Sequence, residues 1–248
     1  AGFFFLLHEI GHALGLKHTH DDGGTNGPTL AQVGLAGFDQ DWASIMSYND
    51  TRGFNNNKWD PATPMVLDVI GLQYLYGTST STAGENTYNL AEKNMYSSIY
   101  DAGGINTIDV SESDKAWAID LQTNVAAPKG GISYLAPETL YWLLGDFNTI
   151  VGSAYADTIT GDDLNNVITG GLGDDFLYGN SGLDTLKYRF EKAKYNVTST
   201  HVTGIEGSDY INSIERIVFS DSSLAFDTES SNSAGGIYRT YKAAFNRT

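Results

Sequence analysis

The sequence predicts an α+β chain: two helices near the N-terminus, then a long and mainly β remainder. Three observations carry that prediction. Residues 2–14 form an apolar helical run closed by Gly15, residues 62–77 form a second such run, and residues 152–187 repeat with a period of nine. Helix signals and strand-and-turn signals are thus segregated along the chain, which is the α+β pattern.

The elements follow in order. The stretch "AGFFFLLHEIGHALGLKH" (1–18) reads as a helix that Gly15 ends by accepting positive φ. Residues 19–60, rich in Gly, Asn, Asp and Thr, read as loop. "ATPMVLDVIGLQYLYG" (62–77) reads as a helix with Thr63 as N-cap, Pro64 at the first helical position and Gly77 past the end. Gly71 inside it costs about 1 kcal/mol against Ala. Residues 78–227 hold short β-prone runs between Gly/Asn/Asp turns. "ESSNSAGG" (229–236) has the composition of a linker, and 237–248 reads as the start of a helical segment that is cut off.

The repeat is "GSAYADTIT", "GDDLNNVIT", "GGLGDDFLY", "GNSGLDTLK". Its first position is Gly152, Gly161, Gly170 and Gly179. Its sixth is Asp157, Asn166, Asp175 and Asp184, and its eighth is Ile159, Ile168, Leu177 and Leu186. A disordered Gly/Asp-rich linker has no need of four apolar residues at a strict period, so the repeat predicts structure.

The net charge of −16 argues against nucleic acid and anionic membrane as partners, and aspartates beside glycines point to cations instead. There is no cysteine, so disulfides and thiolate-bound zinc are excluded. No apolar run approaches the roughly 20 residues that span a bilayer, and membrane insertion is not expected. "GFFFLL" (2–7) lacks the flanks of a secretory signal, and the missing initiator Met suggests a fragment or processed chain.

Four of the five histidines lie in the first twenty residues. Residues four apart on a helix share a face, so His8 and His12 suit one tetrahedral zinc, with Glu9 one step around. Gly15 lets the chain turn back to present His18. The ungapped pattern H-E-x-x-H-x-x-G-x-x-H leaves a zinc position open, the mark of a catalytic site. The alternative is an amphipathic helix that merely carries histidines, which leaves the positions of Gly15 and His18 to coincidence.

Met46, in "SIMSY" (44–48), follows His18 by 28 residues (46 − 18). With this the chain resembles the metzincin metallopeptidases, and among them the serralysin family. The resemblance rests on "HEIGHALGLKH" (8–18), "SIMSY", "PMVLDVIGLQYLYG" (64–77) and the nonapeptides, most of residues 1–187. It implies that residues 1–77 are the C-terminal half of a metzincin catalytic domain. It makes 78–187 a serralysin-like domain with a calcium-binding parallel β-roll or sandwich (152–187), and 188–228 a β extension. His8, His12 and His18 resemble the zinc ligands, and Glu9 the general base acting on zinc-bound water. Met46 resembles the methionine beneath the metal. Tyr48 resembles a further ligand that can swing away and hold the oxyanion, a role that suits its hydroxyl. Thr19 stands where a proline often follows the third histidine, and His20 reads as a solvated loop residue because three histidines already suffice.

The nonapeptides resemble the RTX pattern G-G-x-G-x-D-x-U-x, in which turn carbonyls and one aspartate offer hard oxygens to Ca²⁺. Successive turns of such a roll face opposite sides, pairing Asp157 with Asp175 and Asn166 with Asp184. The ligand positions are Gly152, Asp157, Asn166, Gly170, Gly171, Gly173, Asp175, Gly179, Asn180, Gly182 and Asp184. About one to three ions are expected, with the best turns at 170–175 and 179–184. "TAGENTY" (82–88) and "YDAGGINT" (100–107) resemble two further calcium segments through Thr82, Gly84, Asp101, Gly103, Gly104 and Asn106. Thr139 and Tyr141 stand where a Thr-x-Glu ligand is usual. Ile211, Ile214, Ile217 and Phe219 in the unit 206–227 read as core.

The resemblance implies a secreted bacterial zinc endopeptidase of protein and peptide substrates, monomeric and exported by type I secretion. Its roll would fold on calcium outside the cell, because cytosolic calcium is too scarce to fill millimolar-class sites. The competing expectation is a calcium-dependent extracellular binding or adhesion module with an incomplete or inactive protease part.

Overall fold

Short strands dominate the structure, a computed structural model that describes residues 2–21, 24, 27–49, 60–130 and 138–226. The linker and helical segment expected at 229–248 lie outside the described residues. Two α-helices are present among the described residues, α1 (Phe3–Ala13) and α2 (Val66–Tyr76). The strands are β1 (Thr87–Asn89), β2 (Tyr96–Tyr100), β3 (Thr107–Asp109), β4 (Trp117–Asp120), β5 (Val125–Pro128) and β6 (Leu140–Leu144). Then come β7 (Thr149–Val151), β8 (Thr158–Thr160), β9 (Val167–Thr169), β10 (Phe176–Tyr178) and β11 (Thr185–Lys187). The last are β12 (Tyr195–Val197), β13 (His201–Gly204), β14 (Gly207–Asn212), β15 (Arg216–Val218) and β16 (Ser223–Ala225). The described chain is therefore mostly β with few helices, because turn-rich sequence fills most of its length.

By its contacts the chain forms two compact units. One comprises Ala1–Asn86, Ala91–Asn106 and Thr123–Asp146; the other comprises Thr87–Leu90, Thr107–Gln122 and Phe147–Thr248. In the first unit β6 pairs in parallel with β2 and antiparallel with β5. Ile45, Met46, Met65, Tyr96 and Leu140 form its buried core, with Phe4, Leu7, Leu16 and Trp142 packed against them. Gly15, at φ +91°, follows the end of α1 as its sequence requires. The start of α2 differs from expectation: Met65, not Thr63, is the N-cap residue. The cause is Asp68, whose carboxylate accepts the Met65 N–H at 2.7 Å, while the Thr63 hydroxyl oxygen accepts the Ser98 N–H at 2.7 Å.

In the second unit the nonapeptides alternate between two sheets. One runs β1-β3-β7-β9-β11-β15-β16, and the other includes the order β12-β13-β14-β10-β8-β4. Strands eighteen residues apart are parallel neighbours, with Ile159 opposite Leu177 and Ile168 opposite Leu186, as a parallel roll requires. Strands β3, β7, β8, β9, β10, β11 and β15 each bury their middle residue, and the ladders Ile150–Ile168–Leu186–Ile217 and Ile119–Ile159–Leu177–Ile211 face the interior. One aliphatic side chain per turn is a thin core, so each rung carries much of the stability.

Ile168→Ala is expected to cost about 3 kcal/mol, within the usual large-to-small range of about 2–5 kcal/mol. Ile205→Ala, at an exposed turn position, is expected to stay within about 0.5 kcal/mol. Urea unfolding in excess calcium measures both.

Candidate metal centres

The first candidate centre lies wholly in the first unit. His8 is buried, and its Nδ1 lies 2.7 Å from the Ile45 carbonyl oxygen. His12 Nδ1 lies 3.0 Å from the Leu16 carbonyl and His18 Nδ1 lies 2.8 Å from an Asp21 carboxylate oxygen. Carbonyls and carboxylates only accept, so each Nδ1 carries the proton and each Nε2 presents a lone pair. Those Nε2 atoms converge: His18 Nε2 is 3.2 Å from that of His8 and 3.0 Å from that of His12. Lone pairs so placed repel unless a cation lies among them. Tetrahedral zinc with Zn–N bonds of about 2.0–2.1 Å would hold nitrogens about 3.3 Å apart, so the donor set fits zinc. The Tyr48 hydroxyl lies 2.7 Å from His18 Nε2, and Glu9 is exposed beside His8 on α1. His20 is exposed and its ring stacks on that of His18 at 5.2 Å between centroids.

Met46 is fully buried under α1. A Cβ on Gly11 would meet its sulfur at 2.6 Å, so the residue before His12 has to be glycine for the turn to approach the helix. Sequence reasoning overlooked Asp68. This buried carboxylate accepts the Ser44 hydroxyl at 2.6 Å and the Ile45 N–H at 2.8 Å, in addition to Met65 N–H. Burial pushes its pKa up, against those hydrogen bonds. Asp68 thus holds the N–H of Ile45, the residue whose carbonyl orients His8. Asp39 acts similarly one layer out, accepting the hydroxyls of Thr19 and Ser47. That gives Thr19 a bond that a proline there would lack.

The second set of candidate centres is the stack of nonapeptide turns. The Asp157 N–H donates to Asp175 Oδ1 and the Asn166 N–H to Asp184 Oδ1, both at 2.8 Å, which joins the expected pairs. All four side chains are buried. Asp157 is well supplied, accepting the Ser153 N–H and hydroxyl from its own turn and the Trp117 N–H from β4 at 2.6 Å. The Asn166 carbonyl oxygen accepts the Asp162 N–H, and its amide donates to Phe147 O. Asp184 Oδ2, by contrast, is buried with no hydrogen-bond partner. Burial first, then the nearby charges of Glu215 and Asp162, push the Asp184 pKa up to about 6. The glycines expected as ligands line these turns: Gly170 O lies against Gly152, and Gly171 packs on the Ser153 carbonyl, Gly173 on Tyr155 and Gly182 on the Leu164 carbonyl. The Gly179 N–H donates to Asn212 O, and the Asn180 side chain donates to Gly161 O at 2.7 Å.

The upstream residues also gather, in the first unit, but around a side chain that sequence reasoning did not single out. Asn86 Nδ2 donates to Thr82 O (2.8 Å), Gly84 O (3.2 Å) and Asp101 Oδ2 (3.0 Å). The Asn86 N–H donates to Asn106 Oδ1, Gly103 O accepts the Gly84 N–H, and Gly104 packs on the Gly84 carbonyl. An amide thus stands among oxygens that suit a hard cation. Thr139 and Tyr141 turn away to backbone partners, Lys93 and Asn94 for the first and Ala91 for the second.

Residues 144–163 and 151–186 match the RTX calcium-binding nonapeptide repeat (4 copies). The chain is 29% identical over 202 residues to Serralysin of Proteus mirabilis, covering 75% of this chain and 37% of that protein. It is 31% identical over 203 residues to Metallopeptidase AprA of Pseudomonas marginalis, covering 73% and 38%. To Serralysin G of Dickeya chrysanthemi it is 33% identical over 186 residues, covering 68% and 36%. The chain thus spans less than two-fifths of the length of these curated relatives. Repeats and relatives together define the class as calcium-binding metalloproteases. Within that class the chain belongs to the serralysin-like metallopeptidases.

Two outcomes are expected. Asp68→Ala strips the acceptor from three buried donors and is expected to lower stability by about 3 kcal/mol, at about 1 kcal/mol each, read by denaturant unfolding. Asp184 has a native pKa above its unfolded value of 3.8. Its contribution to stability is therefore full below the unfolded value and is lost as pH rises through about 6. In calcium-free protein, Asp184→Asn is expected to melt above wild type near neutral pH, with the gap closing as pH falls to about 4.

Proposed function

We propose that this chain carries the catalytic metal centre of a secreted zinc endopeptidase, and that calcium in the nonapeptide turns stabilises it. The convergence of three Nε2 lone pairs, each ring held by an acceptor at Nδ1, carries the reading. His8, His12 and His18 would hold zinc, with the Tyr48 hydroxyl within reach as a further oxygen ligand. Zinc bound there would supply Lewis acidity to a peptide carbonyl and to a water that would then lose its proton near neutral pH. Glu9 takes up that proton as general base and delivers it to the leaving amine. The Tyr48 hydroxyl donates to the substrate carbonyl oxygen as negative charge grows on it. Ile45 O, Leu16 O and Asp21 keep the three rings in one tautomer and orientation. Met46 supports α1 from beneath, and His20 remains a loop residue at the edge of the site.

In this reading residues 1–77 are the C-terminal part of the catalytic domain, 78–187 the calcium-binding domain and 188–228 its β extension. The acidic, cysteine-free composition and the RTX repeats support folding after export by a bacterial type I system, with proteins and peptides as substrates.

The test combines metal content with hydrolysis of casein. One zinc per chain is expected in wild type and in Glu9→Gln, and none in His12→Ala. In the whole protein, Glu9→Gln is expected to lower kcat/KM by about 10²–10⁴-fold. Equal activity of Glu9→Gln and wild type refutes the base; a wild-type chain that binds no zinc refutes the site.

A further inference from the structure

The stack of turns continues past the matched run, which ends at residue 186. Residues 204–212, "GIEGSDYIN", put Gly204, Gly207, Asp209 and Ile211 at the first, fourth, sixth and eighth positions of the nine-residue pattern, although residues 188–203 intervene. The structure stacks them accordingly. Ile211 lies opposite Leu177, Asp209 Oδ1 accepts the Asp175 N–H at 3.1 Å, and Gly207, at φ +144°, packs on the Gly173 carbonyl. On the other sheet Ile217 lies opposite Leu186. Two residues before it, Glu215 Oε2 accepts the Asp184 N–H at 2.8 Å, the same bond that Asp184 makes with Asn166. Glu215 therefore occupies the sixth position of a further turn.

The acids of the stack differ in how they are satisfied. Asp209 has protein donors on both oxygens, the Asp175 N–H and the Tyr188 hydroxyl at 2.6 Å. Asp184 Oδ2 has none, although the side chain is fully buried. It lies where a Cβ on Gly179 would have to sit, as does the Ser213 carbonyl oxygen, and Ser213 takes a positive φ of 52°. A lone buried carboxylate oxygen, a carbonyl turned toward the same glycine and a second carboxylate one turn on form a hard-oxygen set with excess negative charge. That set is the chemistry of calcium rather than of a transition metal.

We propose that Glu215, outside the nonapeptide run, completes a further calcium site with Asp184 and the Ser213 carbonyl at the end of the stack. This rests on the reading of the nonapeptide turns as calcium-binding. Calorimetric titration of calcium into chelator-stripped full chain tests it in wild type, Glu215→Gln and Asp209→Asn. Glu215→Gln is expected to lose one site or weaken it at least tenfold. Asp209→Asn is expected to keep the wild-type stoichiometry while melting lower. Wild-type stoichiometry and affinity in Glu215→Gln overturn the proposal while leaving the calcium reading of the repeats standing. No calcium heat in wild type overturns both. Wild-type crystals soaked in terbium decide the matter even if Glu215→Gln does not fold. A peak within about 2.5 Å of a Glu215 carboxylate oxygen supports the site, and peaks at the repeats without one there overturn it.

Discussion

One hydrogen bond, repeated from turn to turn, underlies the repeat-bearing unit: a buried carboxylate oxygen accepts the backbone N–H of the equivalent residue one turn earlier. It sets the register of the stack, since the aliphatic residue two positions later can then only fall opposite its counterpart. It also forces acidic side chains into the interior, where an ionised carboxylate without partners is very costly. Asp157 meets that cost with Ser153 and Trp117, and Asp209 with Tyr188. Asp184 has no such donor on its second oxygen. Because each nonapeptide strand, β8 to β11, buries only one aliphatic side chain, the electrostatic state of the turns weighs as heavily as the apolar core.

The unit that carries the histidines is organised around a different carboxylate. Asp68 reaches from the first turn of α2 to the peptide that ends at Ile45, and the carbonyl of Ile45 orients His8. Helix start, methionine turn and imidazole are therefore one connected object, and Gly11 permits the close packing of that turn on α1.

Much of this was legible in the sequence. The i, i+4 histidines, Gly15 and His18 specify one face and one turn, and the period of nine specifies two alternating sheets with the pairs Asp157–Asp175 and Asn166–Asp184. What escaped was long-range or aperiodic. Asp68 looks like an ordinary acidic residue in a first helical turn, and only its approach to Ser44 and Ile45, 24 and 23 residues back, gives it a role. The same bond to Met65 moved the helix start from the position that Thr63 and Pro64 suggested. Asn86 is one of many turn asparagines until the chain brings Thr82, Gly84 and Asp101 around it. "GIEGSDYIN" did carry a readable signal, but its displacement by residues 188–203 hid the period, and Glu215 lacks even the glycines that would mark a repeat.

The anchoring of each imidazole at Nδ1 bears on the entropy of ligand capture. Two of the three acceptors are backbone carbonyls, at Ile45 and Leu16, so those ring orientations are set when the chain folds and are not left to be settled when an ion arrives. The rotamer freedom surrendered by His8 and His12 is charged to folding, leaving the centre rigid in advance and binding correspondingly tighter. His18 differs, because its acceptor is a side chain, that of Asp21 three residues on, whose own rotamer must also be fixed. The centre is thus oriented by backbone acceptors at His8 and His12 and by a side-chain acceptor at His18, beside Tyr48.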